Sequence, residues 1–207
     1  MRVKIKQEAK KEALMSVIVA VKENGVVYMG ADTQTTSGRK KHNGLNETAF
    51  KIHRLENGIL VGFCGKVAAT HEILSMKDIF VLDENGELNK KHIVNHIVPK
   101  LVDRMEQIGD EERGSLDVSI ILAYKDKLYR ITASLSVICL NDYAKAGAGA
   151  YFVNYYLQER KDLLVKNRII KSLMASAKRC DSVCGPYVLI DTKNLEYKII
   201  DMGGENY

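Results

Sequence analysis

Five residues stand where their chemistry can converge. Ser16 opens a β-rich run, Ser16–Val21, and Asp32 ends the next one within Gly30-Ala31-Asp32-Thr33. Lys51 opens a third run in Phe50-Lys51-Ile52, and Gly65 closes a fourth, in Gly62-Phe63-Cys64-Gly65, where a helical pattern begins. Asp181 lies far downstream, in Arg179-Cys180-Asp181-Ser182-Val183-Cys184-Gly185. A serine hydroxyl is a poor nucleophile at neutral pH and needs a base beside it. If Ser16 becomes the first residue, its own α-amine, with a reference pKa of about 8, can take that proton, and no histidine is required. A lysine such as Lys51, if buried beside the hydroxyl, would favour its ionisation, and Asp32 could pair with that lysine. A backbone N–H at a strand-to-helix turn, as at Gly65, could stabilise an oxyanion, an effect worth roughly 3–4 kcal/mol per donor. Each residue alone has an ordinary explanation: an aspartate at a strand end is a turn residue, a strand lysine is solvated, and a glycine serves backbone geometry. Their order along the chain carries the argument.

Other candidate sites are weaker. His92 and His96 stand four apart and could chelate a metal, but no Glu accompanies them in the His-Glu-x-x-His manner and no third ligand is evident. A partly exposed helix face is the preferred reading. Gly147-Ala148-Gly149 begins a Gly-x-Gly pattern without a third glycine or a preceding parallel-strand unit, which argues against a dinucleotide site. Cys64, Cys139, Cys180 and Cys184 lack zinc-ligand spacing. No metal and no cofactor are expected. The formal charge of +5 is concentrated in Met1–Lys11 and Arg39–Lys41, without interleaved aromatics, so solvated basic loops are expected and nucleic acid is not. No run approaches the roughly 18 apolar residues of a membrane span, and Met1–Lys11 lacks the apolar stretch of a secretory signal. A cytoplasmic protein with reduced thiols is the expectation.

The elements that must hold these residues follow from the pattern. The 207 residues divide into a charged leader, 1–15, and one domain, 16–207. Asn24-Gly25 between two β-rich runs marks a hairpin, and Asn57-Gly58 joins two more. Val67, His71, Leu74 and Met76–Phe80 suit a helix, and Ile93 to Met105 a second, with Pro99 kinking it or marking its start. Strands resume at Val118–Tyr124, Lys127–Ala133 and Val137–Leu140. Two helices follow, at Ala150–Arg160 and Leu164–Arg179, and strands close the chain at Tyr187–Ile190 and Tyr197–Asp201. Helices grouped apart from antiparallel strands predict an α+β fold with helices outside stacked sheets.

The set Ser16, Asp32, Lys51, Gly65 and Asp181-Ser182-Val183-Cys184-Gly185 resembles proteasome β-type subunits and their bacterial relatives, a family of N-terminal nucleophile hydrolases. The resemblance covers nearly everything from Ser16 to about Asp201. It implies a four-layer αββα sandwich, two antiparallel sheets between helix layers. It implies a threonine-type endopeptidase run here by serine, with Ser16, Asp32, Lys51, Gly65 and Asp181 as the catalytic set. Thr35, Phe63 and Val67 match the family's substrate pocket, which implies an apolar residue before the cleaved bond. By resemblance the chain forms a ring-shaped homo-oligomer enclosing its active sites, partnered by an ATPase unfoldase ring and acting on proteins or peptides. Departures are specific. Serine replaces the commoner threonine, Met15 replaces the usual preceding glycine, Ala148 replaces the serine of Gly-Ser-Gly, and Cys184 replaces the late-motif serine. Two rival readings remain: a noncatalytic structural or gating ring subunit in which Met1–Leu14 forms an N-terminal helix, and an amidase for small molecules. Release of Ser16 is expected by self-cleavage at Met15–Ser16 or by translation from Met15 followed by its removal.

Overall fold

The computed structural model describes residues 16–37, 40–43, 50–76, 78–107, 116 and 118–201. The proposed leader lies outside them. β1 (Ile18–Glu23) and β2 (Val26–Asp32) form the expected hairpin. Asn24 and Gly25 take φ of 51° and 74°, the left-handed values that a two-residue hairpin turn demands. A short hairpin follows, β3 (Gln34–Ser37) with β4 (Lys40–Asn43). Then come β5 (Ile52–Arg54), β6 (Leu60–Gly65) and α1 (Val67–Ser75). A helical path runs through α2 (Lys90–His92), a π-helical turn over Ile93–Ile97 and α3 (Val98–Gln107). β7 (Val118–Tyr124), β8 (Lys127–Ile131), β9 (Val137–Cys139) and β10 (Tyr143–Ala146) lead to a 3-10 turn at Ala148–Phe152 and a π-helical turn at Tyr155–Glu159. α4 (Val165–Ala177), β11 (Tyr187–Asp191) and β12 (Lys198–Ile200) close the described chain.

The strands assemble into two five-stranded antiparallel sheets, ordered β10-β1-β2-β11-β12 and β5-β6-β7-β8-β9. Strand alternation then decides the layers, because successive side chains point to opposite faces. Ile18 and Ala20 of β1 and Met29 of β2 meet Leu60, Cys64 and Ile121 between the sheets. Val17, Val19 and Val21 face the other way and pack with Ile169 and Leu173 of α4. Val118, Ile120 and Leu122 of β7 pack with Ile73, Ile93, Ile97 and Leu101 of the opposite helix layer. Each sheet is covered on both faces, so its inner strands carry no polar side and read as unbroken apolar runs. The result is the four-layer α+β sandwich. Gly30 sets the spacing of one layer, since a Cβ there would lie 2.4 Å from Ile169 and 2.7 Å from Leu189.

Several expected elements are corrected. α1 ends at Ser75, and Met76 and Asp78–Phe80 are not helical. Ile79 and Phe80 still reach the core, which is why their apolar spacing imitated a helix. The single helix expected over 150–160 is a 3-10 turn followed by a π turn. Pro99 cannot donate to the carbonyl of Asn95, and the wide π turn immediately before it re-registers the hydrogen-bond ladder. The His92 and His96 rings stack there, with centroids 4.9 Å apart, and His92 Nε2 lies 2.9 Å from the Val81 carbonyl. Among the described residues no cluster of ligands could hold a metal, and no helix is long and apolar enough to cross a membrane.

Candidate active site

The site is built where the first strands of both sheets begin or end. Asp32 closes β2 with a fully buried side chain, and its Oδ2 accepts from Lys51 Nζ at 2.7 Å. Its Oδ1 accepts the N–H of Val17 at 2.8 Å, the residue directly after Ser16. The Gln34 N–H reaches Oδ2 at 3.3 Å. Lys51 also donates to the Gln34 carbonyl at 2.6 Å. One carboxylate thus ties the start of β1 to the end of β2 and to the chain entering β5. Burial pushes the Asp32 carboxyl up from its ordinary value, while the Lys51 ammonium and the Val17 and Gln34 N–H groups pull it back.

Ser16 is 8% exposed and takes φ 90°, a region that non-glycine residues avoid. Its carbonyl accepts the Gly149 N–H at 3.1 Å. Gly147, with φ 94°, closes over the same carbonyl so tightly that a Cβ would sit 2.3 Å from the Ser16 oxygen and 3.0 Å from Cys64 Sγ. Ser16, the Gly147–Gly149 loop and the Cys64-Gly65 end of β6 are therefore neighbours. Burial pushes the Cys64 thiol up to about 12, against the pull of nearby Lys51, so it stays a neutral packing group. Gly65 ends β6 opposite Val118, two residues before α1 begins.

The remaining candidates divide. The Asp181 carbonyl accepts from Gln34 Nε2 at 3.1 Å, which fastens the late loop to the end of β2. Thr35 is half-buried on β3. Phe63 is 3% exposed and packs its ring against Phe80 and His53, so it forms a wall of the helix-layer core. Val67, at the start of α1, is 47% exposed. Sequence reasoning missed Gln34, which touches Asp32, Lys51 and Asp181 together. It also missed Ser176 of α4, whose hydroxyl donates to the Gly149 carbonyl at 2.5 Å and clamps the glycine loop. The loop's Gly-x-Gly spacing was the one signal for this part of the site.

A four-layer αββα sandwich carrying a buried Asp–Lys pair at the start of its first strand defines the class of the N-terminal nucleophile hydrolase fold. Residues 15–182 match the proteasome subunit family, and the chain belongs to that family. It is 30% identical over 129 residues to the ATP-dependent protease subunit HslV of Staphylococcus epidermidis, a match covering 61% of this chain and 66% of that protein. The match thus spans slightly less than two thirds of that relative's length. Among solved structures, Thiobacillus denitrificans BPH superimposes with a TM-score of 0.68 at 17% identity, over 90% of this chain and 99% of that one. HslV from Trypanosoma brucei gives 0.60 at 16% identity, over 84% and 98%. At such identities these likenesses speak to fold alone.

Proposed function

We propose that this chain is a peptidase subunit in which Ser16, freed as the first residue, attacks the peptide carbonyl. The observation that carries the reading is the Asp32 carboxylate, bonded at once to the Lys51 ammonium and to the N–H that follows Ser16. A structural subunit has no need of a lysine held at that point. In the proposed reaction the Ser16 hydroxyl proton passes to the Ser16 α-amine as Oγ bonds to the carbonyl carbon. The Gly65 N–H receives the oxyanion. The amine returns the proton to the leaving nitrogen, and water then hydrolyses the Ser16 ester with the amine again as base. Lys51 keeps the potential around Ser16 positive, and Asp181 holds the amine through the loop that Gln34 fastens. Thr35, Phe63 and Val67 receive the residue before the cleaved bond.

Release of Ser16 is part of the proposal, because an amide nitrogen cannot serve as a base. The φ of 90° at Ser16 supports it: such backbone costs on the order of 1–3 kcal/mol, and cutting the bond before Ser16 removes the constraint. The proposal extends to a closed ring of copies in the cytoplasm, fed by an ATP-driven unfoldase. The matched Staphylococcus relative is named as an ATP-dependent protease subunit. Sedimentation of the full chain only as monomer or dimer would count against the ring. A noncatalytic ring subunit is the second reading, favoured by Ala148, which leaves the glycine loop without a hydroxyl. One experiment separates the two. Full-length protein is incubated with fluorogenic peptides bearing Leu before the reporter, and its intact mass is recorded. Cleavage that is lost in Ser16→Ala, with residues 1–15 absent from the mass, supports the peptidase. Retention of Met1 with no cleavage refutes it.

A further inference from the structure

His53 and His71 stand beside two of the proposed pocket residues. His53 lies on β5 opposite Val61 of β6, and its ring centroid is 5.9 Å from that of Phe63. His71 follows Val67 by one turn of α1, so the two share a helix face. Neither imidazole has a hydrogen-bond partner among the described residues. The groups facing His53 are few. β6 presents Val61 and Phe63, which are uncharged, and α1 presents His71, whose charge bears on His53. Lys51, two residues earlier and just ahead of the strand, has its ammonium on Asp32 and the Gln34 carbonyl. Among the described residues no carboxylate bears on His53. Burial, with a smaller push from His71, holds His53 down to about 4. It is neutral near pH 7, a donor and acceptor at the side of the pocket with no hydrogen-bond partner among the described residues.

We infer that His53 and His71 make this pocket a proton-linked acceptor of acidic side chains, so that peptides with Glu or Asp before the cleaved bond are taken as the pH falls. The inference rests on the proposed peptidase site and names its substrate class. An imidazolium alone is disfavoured there by desolvation, and a carboxylate alone is disfavoured for the same reason. Pairing offsets part of both penalties. The His53 ring takes one proton from solvent as the carboxylate binds and then donates a hydrogen bond to it. Apolar residues bind without proton uptake and remain the preferred substrates at and above neutral pH.

The test uses the full-length protein and matched peptides with Glu, Gln or Leu before the reporter. The ratio of kcat/KM for Glu to that for Leu cancels the ionisation of the Ser16 amine, which both substrates share. That ratio is expected to rise at least about fivefold from about pH 8 to about pH 6, while the Gln-to-Leu ratio stays flat. The rise should vanish in the His53→Phe/His71→Phe double variant and shrink in His71→Gln, which alters only an exposed ring. A flat Glu-to-Leu ratio overturns the inference and leaves the peptidase reading intact, because Leu is still cleaved. A rise that survives the double variant also overturns it, since the substrate carboxyl then carries its own proton. If no peptide is cleaved, anisotropy of a labelled Glu peptide with Ser16→Ala decides. Binding that tightens on acidification and disappears with His53→Phe/His71→Phe supports the pocket, and absence of binding refutes it.

Discussion

Lys51→Met should destabilise the protein in a way that acid partly repairs. The substitution keeps the length of the side chain and removes the charge. It leaves the Asp32 carboxylate with the Val17 and Gln34 N–H groups but no counter-ion, at 0% side-chain exposure, with the lysine side chain itself only 12% exposed. Breaking one partner of a buried pair costs about 3–5 kcal/mol. For a chain of this size that corresponds to a fall of roughly 10 °C in Tm. The sign of the pH dependence follows from burial. Burial already raises Asp32 above its ordinary value, and loss of Lys51 removes the largest opposing pull. A carboxyl whose folded pKa exceeds its unfolded value destabilises at high pH, and the loss is recovered as the pH falls through the folded pKa. Equilibrium urea unfolding of wild type and Lys51→Met, at one protomer concentration, should therefore differ most at about pH 8 and least at about pH 5. Adding Asp32→Asn should restore at least half of the loss, because a neutral amide needs no counter-ion and its Oδ1 can still accept the Val17 N–H. A cost below about 1 kcal/mol, or a cost that is the same at both pH values, would refute the claim that the pair is buried and charged. Peptide cleavage should be lost in the single and double variants alike, since neither restores a positive charge.

Gly147→Ala should lower kcat sharply with a smaller effect on KM, because its Cβ would collide with the Ser16 carbonyl and its φ of 94° suits only glycine. Wild-type kcat in that variant, in an active preparation, would show that the loop does not set the position of Ser16. Ala148→Ser should raise turnover less than about tenfold, the equivalent of one hydrogen bond of ~1 kcal/mol. A large loss of peptide cleavage on adding this hydroxyl would place the loop away from the nucleophile.

The order of strands and helices was legible in the sequence because the main signals are local. Asn24-Gly25 specifies a turn, and the doubly covered strands read as continuous apolar runs. The proposed catalytic set could be picked out because Ser16, Asp32, Lys51 and Gly65 sit at the ends of those runs, and strand ends gather at sheet rims. Helix type was not legible. Ile79 and Phe80 pack into the same cluster as α1, so burial produced a helical-looking pattern in chain that is not helical. β10 was missed because Tyr143–Ala146 is a short edge strand whose small residues, Ala144 and Ala146, give little β signal; it is held by pairing with β1, a partner more than a hundred positions away in sequence. Gln34 was missed for a related reason: both its amide N–H and its carbonyl serve the Asp32–Lys51 pair, roles that any residue type could fill. The sequence by itself determined which groups could act and the hairpins that carry them. Tertiary structure alone decided that Asp32 would be buried against Lys51, that the Gly147 loop would close on Ser16, and that burial would leave His53 neutral. Each of these depends on desolvation by segments distant in the chain, and desolvation is a property of the packed layers.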